Sequence, residues 1–267
     1  MNKYFDIELN DETPASVFMK LRDISPTFLL ESIERGVDQS RHSFLGIGAS
    51  QSIQVREGTY ILNGEEISKP SSHNEMMNLF RKTLKEIPDL KPSIDDIPFS
   101  GGMVGFSSFD MIRHFEKLPV PEGKDGILSP SDCSYIAPTS LLIFDHLENK
   151  MALLHCGNEE ERINLRDEIL SLLSKEITQS QKKKTYSEPI ANIKKETFYD
   201  AVEKAKHHIF EGDIFQIVLS IAFSGSYDLD PFDVYRAMRL INPSPYMFYC
   251  ESDGPVSYTH LTLPTKA

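Results

Sequence analysis

The sequence predicts an α+β protein, with mixed or antiparallel β-sheets and helices packed between them. Three observations predict this class. Short β-favouring runs are joined by two hairpin turn signals, Glu57-Gly58 and Asn63-Gly64. Segments with helical periodicity stand apart from those runs. The chain also has no internal repeat and no regular alternation of strands and helices, which a parallel βαβ sheet would require.

The first part of the chain contains predicted strands and one inserted helix. Strands are predicted in TFLLES (27–32), in HSFLGIGAS and in SIQVREGTYILNGEEIS. The helix begins after Ser72, which forms a capping-box pattern with Glu75, and it ends before Pro88. Its predicted apolar face consists of Met76, Phe80, Leu84 and Ile87.

A second hairpin is predicted in TSLLIFDHLENKMALLHC, where two apolar runs flank the turn residues LENK (147–150). A long helix follows in EEERINLRDEILSLLSKEI. The spacing of its apolar residues predicts a buried side made of Ile163, Leu170, Leu173 and Ile177.

The composition changes at residues 178–190, which are polar, basic and without periodicity, and we predict a linker there. Lys182, Lys183 and Lys184 fit either an anion-binding patch or a solvated connector, and the connector is favoured. After the linker, a helix is predicted in ETFYDAVEKAKHHIFEG and is expected to end at Gly212 in a left-handed conformation. Its predicted apolar face is Phe198, Val202, Ala205 and Ile209.

The run DIFQIVLSIAF is long and apolar enough to predict a strand buried on both faces. The next helix has Asp230 as its N-cap and Pro231 at its first position. It is expected to end at Asn242, because two prolines follow in the corner NPSPYMFY. The aromatic residues of that corner predict the start of another strand.

The composition excludes several classes of partner. The formal net charge of -12 argues against nucleic acid or an anionic membrane surface. The three cysteines are far apart and form no CxxC motif, so disulfides and a zinc site are poorly supported. No apolar run reaches the length of a membrane span, and the N-terminus lacks the apolar region of a signal peptide, so we expect a cytoplasmic protein.

Two stretches carry candidate chemistry. In LLESIERGVDQSRHSFLG, an acid (Glu31), a hydroxyl (Ser32) and a guanidinium (Arg41) follow an apolar wall that includes Leu30, which is what an amino-acid zwitterion requires. A solvated strand end explains the same residues, and on composition alone it is favoured. In EGDIFQIVLS, Gln216 interrupts an apolar strand, so it either pairs with backbone or faces a polar pocket.

The stretches LLES, RHSFLG, GGMVGFSSFDMIRHFE, EGDIFQIVLS and INPSPYMFY occur in this order and together resemble the large subunit (component I) of anthranilate synthase. The resemblance runs from about Pro14 to about Tyr249. Aminodeoxychorismate synthase component I shares the later motifs, whereas LLES with RHSFLG points towards the anthranilate branch. The resemblance implies an N-terminal domain over residues 14–177 and the beginning of a chorismate-binding domain over 191–256.

The resemblance implies an enzyme that converts chorismate to anthranilate and pyruvate. Ammonia would come from a separate glutamine amidotransferase subunit, Mg²⁺ would be required, and tryptophan would inhibit by feedback. The motif Gly212, Asp213 and Gln216 would belong to the chorismate-binding domain. The tryptophan site would consist of Leu30, Glu31, Ser32, Arg41, Pro245, Tyr246 and Met247.

The resemblance also implies an absence, because the family's catalytic residues and Mg²⁺ ligands lie mostly in a C-terminal half that this sequence does not show. We therefore expect no metal ligands in this chain, a truncation, no activity of the chain alone, and a non-native tail over residues 257–267. The alternatives are aminodeoxychorismate synthase component I and a non-catalytic module that binds an amino acid or docks a subunit.

Overall fold

The computed structural model describes residues 4–32, 41–56, 58–118, 131–176, 185–251 and 257–260, the last four by their backbone alone. The contacts divide the chain into two compact units. Unit 1 combines residues 1–179 with residues 231–267, and unit 2 consists of residues 180–230. In the described part of the chain, no helix is long and apolar enough to cross a membrane.

The helices of the described residues are α1 (Pro14–Lys20), α2 (His73–Lys85), α3 (Glu159–Leu173), α4 (Lys195–Phe210) and α5 (Pro231–Ile241), with 3₁₀ turns at Arg22–Ile24 and Phe109–His114. The strands are β1 (Ile7–Glu8), β2 (Pro26–Ser32), β3 (His42–Ile47), β4 (Gln51–Arg56), β5 (Thr59–Leu62), β6 (Glu65–Ile67), β7 (Val104–Ser107), β8 (Cys133–Ala137), β9 (Ser140–Asp145), β10 (Lys150–His155), β11 (Thr185–Tyr186), β12 (Ile190–Ala191), β13 (Phe223–Ser224), β14 (Tyr227–Asp228), β15 (Tyr246–Cys250) and β16 (Ser257–His260).

Unit 1 is built on a seven-stranded antiparallel sheet with the strand order β1-β10-β9-β3-β2-β15-β16. All six residues of β9 are buried, because both faces of this central strand are covered. The predicted hairpin around residues 147–150 is confirmed: β9 and β10 pair along their whole length, and Asn149 adopts the positive φ that the turn needs. The predicted α+β class with antiparallel sheets is therefore correct.

Helices α1, α3 and α5 cover one face of this sheet and form its main core. An aromatic cluster joins α1 and α5 to β15: Phe18 stacks on Phe232 with ring centroids 4.3 Å apart, and Tyr249 meets Phe232 edge-to-face at 5.0 Å. Tyr235, one helical turn after Phe232, lies 5.7 Å from Tyr249. This packing holds α5 against the strands that carry the site described below.

A second antiparallel sheet of unit 1 has the order β6-β5-β4-β8-β7, and α2 packs against it around Met76. The predicted turn is present, with Asn63 and Gly64 both at positive φ. Strand β7 also packs closely against its neighbour at Gly105. A Cβ on Gly105 would lie 1.9 Å from the backbone oxygen of Ser134 on the neighbouring strand β8.

Unit 2 contains α4 and two short antiparallel pairs, β11 with β14 and β12 with β13. Helix α4 ends as predicted, with Gly212 at a φ of +82°. The predicted buried strand in residues 213–223 is wrong. Only Phe223 and Ser224 form a strand, and Phe215 is fully exposed. A strand needs neighbours to pair its backbone, and no described strand pairs with residues 213–222.

The buried faces of three helices differ from the predicted ones. In α4, Ala205 is buried as predicted, but Ile209 is exposed. In α2, Leu84 is exposed, and Thr83 takes the inward position with its hydroxyl bonded to the carbonyl of Leu79. In α3, Ile163 and Leu170 are exposed. The buried residues there are Ile169, Leu172 and Arg162, and Ile177 lies outside the described residues. Periodicity fixes the angular spacing of a helix face, whereas the neighbouring sheet decides which face is buried.

The predicted domain boundaries stay predictions. Residues 178–184 of the predicted linker lie outside the described residues, and Thr185, Tyr186 and Ile190 belong to short strands of unit 2. Residues 231–250, which follow unit 2 in sequence, pack within unit 1. In the predicted tail, Ser257–His260 form β16 along β15, and residues 261–267 lie outside the described residues.

Candidate functional site

Strands β2 and β15 bring together two stretches that are more than 200 residues apart in sequence. They pair antiparallel, with Glu31 opposite Met247 and Ser32 opposite Tyr246. Residues directly opposite each other on neighbouring strands have side chains in contact range. The structure therefore joins the LLES stretch to the Pro-Tyr-Met corner, as the resemblance leads one to expect.

The corner itself is shaped by its prolines. Helix α5 ends at Ile241, and the N–H of Asn242 still donates to the carbonyl of Met238. Two prolines then prevent further helix, and β15 begins at Tyr246. The side chain of Met247 is buried, that of Tyr246 is about half exposed at 48%, and Pro245 is half-buried.

Glu31 is an acidic residue inside the core, with only 3% of its surface exposed. The hydroxyl of Tyr235 donates to its Oε2 at 2.5 Å. Arg239 Nε lies 3.1 Å from the same oxygen, but its N–H is not aligned for a hydrogen bond, so the contact is an ion pair rather than a hydrogen-bonded one. Both contacting residues come from α5, at positions four residues apart on one helix face.

The pKa values of Glu31 and Tyr235 are shifted because both side chains are buried. Burial raises the pKa of the Glu31 carboxyl, and the charge of Arg239 and the hydrogen bond from Tyr235 partly oppose that rise. Burial also raises the pKa of Tyr235, as does the neighbouring Glu31 carboxylate. The phenol is therefore a fixed hydrogen-bond donor at neutral pH.

Ser32 begins a second polar chain. Its backbone N–H donates to Oγ of Ser43 at 3.2 Å, and that oxygen lies 2.8 Å from His146 Nε2. Burial lowers the pKa of His146. The charge of Asp145 opposes the decrease, and His42 and Arg239 add to it. At neutral pH, Ser43 therefore faces an uncharged imidazole.

Arg41 pairs with Asp145, whereas the sequence-based prediction groups it with Glu31. Its guanidinium grips the carboxylate of Asp145 through both Nε and a terminal nitrogen, at 3.0 and 2.5 Å from Oδ2. Burial would raise the pKa of Asp145, but hydrogen bonds from Arg41 and from two backbone N–H groups lower it overall. Arg41 lines a cavity of about 310 Å³ with His42, Asp145 and Ile94. The cation beside Glu31 is Arg239.

Leu30 lies on the opposite face of β2 from Glu31, because successive side chains of a strand alternate. It packs against Phe28 and Phe44 in a second core cluster. The remaining predicted residues lie in unit 2, where Gly212 ends α4, Asp213 pairs with His208 at 2.8 Å, and Gln216 is exposed outside any strand.

A family profile described as chorismate binding enzyme matches residues 26–258, most of the chain. The chain belongs to the chorismate-binding enzyme family. Anthranilate synthase component 1 of Thermus thermophilus is 33% identical over 247 residues, which cover 90% of this chain and 51% of that protein. The protein of the same name from Lactococcus lactis is also 33% identical, with 95% and 56% covered.

A solved structure of anthranilate synthase component I from Streptococcus pneumoniae has the same fold, with a TM-score of 0.61 and 25% identity. The match covers 91% of this chain and 54% of that chain. This member of the chorismate-binding enzyme family therefore spans about half the length of the curated relatives it matches.

Mg²⁺, which the resemblance implies, finds no ligand set in the described residues: they contain no group of three His, Cys, Asp or Glu side chains placed to hold a metal ion. Mg²⁺ in enzymes takes carboxylate, water and substrate oxygens in octahedral geometry. The described part of this chorismate-binding enzyme does not fit such a site.

Four polar residues of the site were not predicted from the sequence: Ser43, His146, Tyr235 and Arg239. A signal for two of them exists, because Tyr235 and Arg239 are four residues apart in a predicted helix that leads directly into the corner. No local signal joins them to Glu31, which lies 204 residues before Tyr235 in sequence.

Proposed function

We propose that this chain is part of the large subunit of an anthranilate synthase, the enzyme that converts chorismate and ammonia into anthranilate and pyruvate. Membership of the chorismate-binding enzyme family and the names of its relatives support the proposal. The observation that carries it is the pairing of Glu31 and Ser32 with Met247 and Tyr246. This pairing assembles two separate sequence motifs of that enzyme into one place.

The paired strands support an effector site for tryptophan, which would inhibit the enzyme by feedback. The Glu31 carboxylate would take the ammonium group, and Pro245, Tyr246 and Met247 would form a rigid apolar wall for the indole. Arg41 was the predicted partner of the carboxyl group. Its bidentate pair with Asp145 weighs against that role, because the ligand would have to displace a nearly buried carboxylate.

The whole enzyme would act in the cytoplasm with a glutamine amidotransferase subunit that supplies ammonia, and with Mg²⁺. The metal ligands and the groups that carry out the addition and elimination would come from the part of the family fold that this chain does not span. The role proposed for the chain itself is therefore to bind the effector and to begin the chorismate-binding domain.

Tryptophan binding tests the effector site. The chain contains no tryptophan, so the indole fluorescence of the added ligand reports binding without a protein background. We expect the anisotropy of L-tryptophan to rise with protein concentration. Glu31→Gln should weaken binding about tenfold or more, since a hydrogen bond to a charged group contributes about 1.5–3 kcal/mol.

Glu66→Gln is the matched control, because Glu66 is an exposed glutamate at the edge strand β6 and should leave the affinity unchanged. If the folded wild-type chain does not bind tryptophan, the proposed effector site is wrong. If both substitutions weaken binding equally, the assignment of Glu31 is wrong.

Turnover of chorismate tests the proposal that the catalytic groups lie in the part of the fold outside this chain. We expect the chain alone to form no anthranilate from chorismate with ammonia and Mg²⁺, as followed by anthranilate fluorescence. Robust anthranilate formation would contradict the proposal that the catalytic groups lie in the part of the fold outside this chain.

A further inference from the structure

The two oxygens of the Glu31 carboxylate have different surroundings. Oε2 receives both contacts from α5, the hydroxyl of Tyr235 at 2.5 Å and Arg239 Nε at 3.1 Å. Oε1 makes no hydrogen bond with the described residues. One oxygen is therefore fixed by the protein, and the other is left available.

The Glu31 side chain is only 1% exposed. Among the described residues, the fully buried side-chain atoms without a hydrogen bond are Ser108 Oγ and Arg239 Nε. Oε1 has no hydrogen bond with the described residues, yet it does not belong to these fully buried atoms. The Glu31 carboxylate is thus almost wholly inside the core and keeps one oxygen without a donor among the described residues.

This arrangement supplies what an ammonium ligand needs. A binding group recognises its ligand well when its rotamer is locked by packing and by hydrogen bonds from supporting residues. Tyr235 is itself fixed by the aromatic cluster with Phe232 and Tyr249. Arg239 sits one helical turn further along α5, immediately before the corner that carries Met247.

We propose that Tyr235 and Arg239 are positioning residues that hold Glu31 by Oε2 so that Oε1 receives the ammonium group of an α-amino acid. This inference rests on the amino-acid site proposed above, and it assigns two residues of α5 to that site. It also makes the site selective, because a ligand without an amino group gains nothing from the oriented oxygen.

The charge balance agrees with this role. Burial raises the pKa of Glu31, and Arg239 and Tyr235 lower it, so both residues help to keep the carboxylate charged. Two further titratable groups interact with these residues. Cys250 on β15 contributes to the raised pKa of Tyr235, and Arg239 contributes to the lowered pKa of His146, which follows β9. Removing the Tyr235 hydroxyl should therefore move the pH below which an amino acid stops binding to a higher value.

A purely structural role is the alternative, since the same contacts would anchor α5 to the sheet without meeting any ligand. The two roles differ in ligand dependence. Loss of an anchor would weaken every ligand of the site alike, whereas loss of positioning would weaken only ligands that carry an amine.

The experiment compares Tyr235→Phe with wild type for three ligands that share an indole, namely L-tryptophan, tryptamine and indole-3-propionate. Binding is followed by the anisotropy of the indole across a range of pH. We expect Tyr235→Phe to weaken the two amines about tenfold, to leave indole-3-propionate within about twofold, and to shift the acid limit of tryptophan binding to higher pH.

Arg239→Gln should act in the same direction on tryptamine, and Arg239→Lys, which keeps the charge, should restore part of the affinity. These two variants also keep the test decisive should Tyr235→Phe fail to fold. Arg236→Lys is the control, because Arg236 is on the same helix but pairs with Asp233. Unchanged affinity for the amines, or an equal loss for all three ligands, would overturn the inference. Wild type that binds no tryptophan would overturn the proposed function together with it.

Discussion

The contact between Tyr235 and Glu31 makes a quantitative prediction about stability. Tyr235→Phe removes one oxygen and leaves a ring of the same shape in the aromatic cluster. The perturbation is therefore confined to the hydrogen bond at 2.5 Å that ends on Oε2 of a residue only 3% exposed. After the substitution, Arg239 is the remaining contact of that oxygen, and its N–H is not aligned with it.

The magnitude follows from the charge and burial of the acceptor. A hydrogen bond to a charged group contributes about 1.5–3 kcal/mol, and an acceptor left unsatisfied in the core costs a similar amount. Tyr235 is only 1% exposed, so water does not replace the lost hydrogen bond, and we expect a loss of about 2 kcal/mol in the free energy of unfolding. That is a large share of the roughly 5–15 kcal/mol that stabilises a typical domain.

Urea unfolding followed by circular dichroism measures this loss, and a double-mutant cycle assigns it. Tyr235→Phe is compared in the wild-type and Glu31→Gln backgrounds, and a coupling of about 1–2 kcal/mol between the two positions is expected. A loss below about 0.5 kcal/mol, or the same loss in both backgrounds, would refute the reasoning. The first result would mean that the carboxylate does not depend on the hydroxyl, and the second that the hydroxyl stabilises the fold through a partner other than Glu31.

Two further predictions concern packing and pH. Gly105→Ala should cost about 3 kcal/mol or more in urea unfolding, because its Cβ would overlap the backbone oxygen of Ser134, whereas Gly58→Ala, with open space but a positive φ, should cost about 1–2 kcal/mol; equal losses would contradict the packing argument. Burial lowers the pKa of His146 below its ordinary 6.5, so the unfolded chain takes up a proton first as the pH falls. The contribution of His146 to the unfolding free energy should therefore be constant above about pH 6.5 and decline below it. His146→Gln should flatten that decline, and an unchanged slope would show that His146 does not cause it.

Features of the fold that depend on local chemistry were predictable. The turn at Asn63-Gly64 and the end of α4 at Gly212 both need a positive φ, which glycine adopts without strain. The start of α5 at Pro231 follows from a ring that fixes φ and lacks an N–H. These elements form where the sequence predicts them, because each depends on a few neighbouring residues.

Features that depend on distant partners were not predictable in the same way. The run after Gly212 is as apolar and β-favouring as a core strand, yet residues 213–222 pair with no described strand. Helix α3 has apolar residues around several sides, and contact with β10 and α1 selects Ile169 and Leu172 over Ile163. Propensity states what a segment can form, and only its neighbours decide whether it does.

The candidate site shows the same division. The sequence by itself determined that an acid and a hydroxyl end one strand, that a proline corner begins another, and that both resemble one family. Tertiary structure decided that Glu31 meets Tyr235 and Arg239, and that Arg41 is held by Asp145. The physical reason is that a buried carboxylate must find its donors wherever the fold brings them, and here they come from a helix about 200 residues away in sequence.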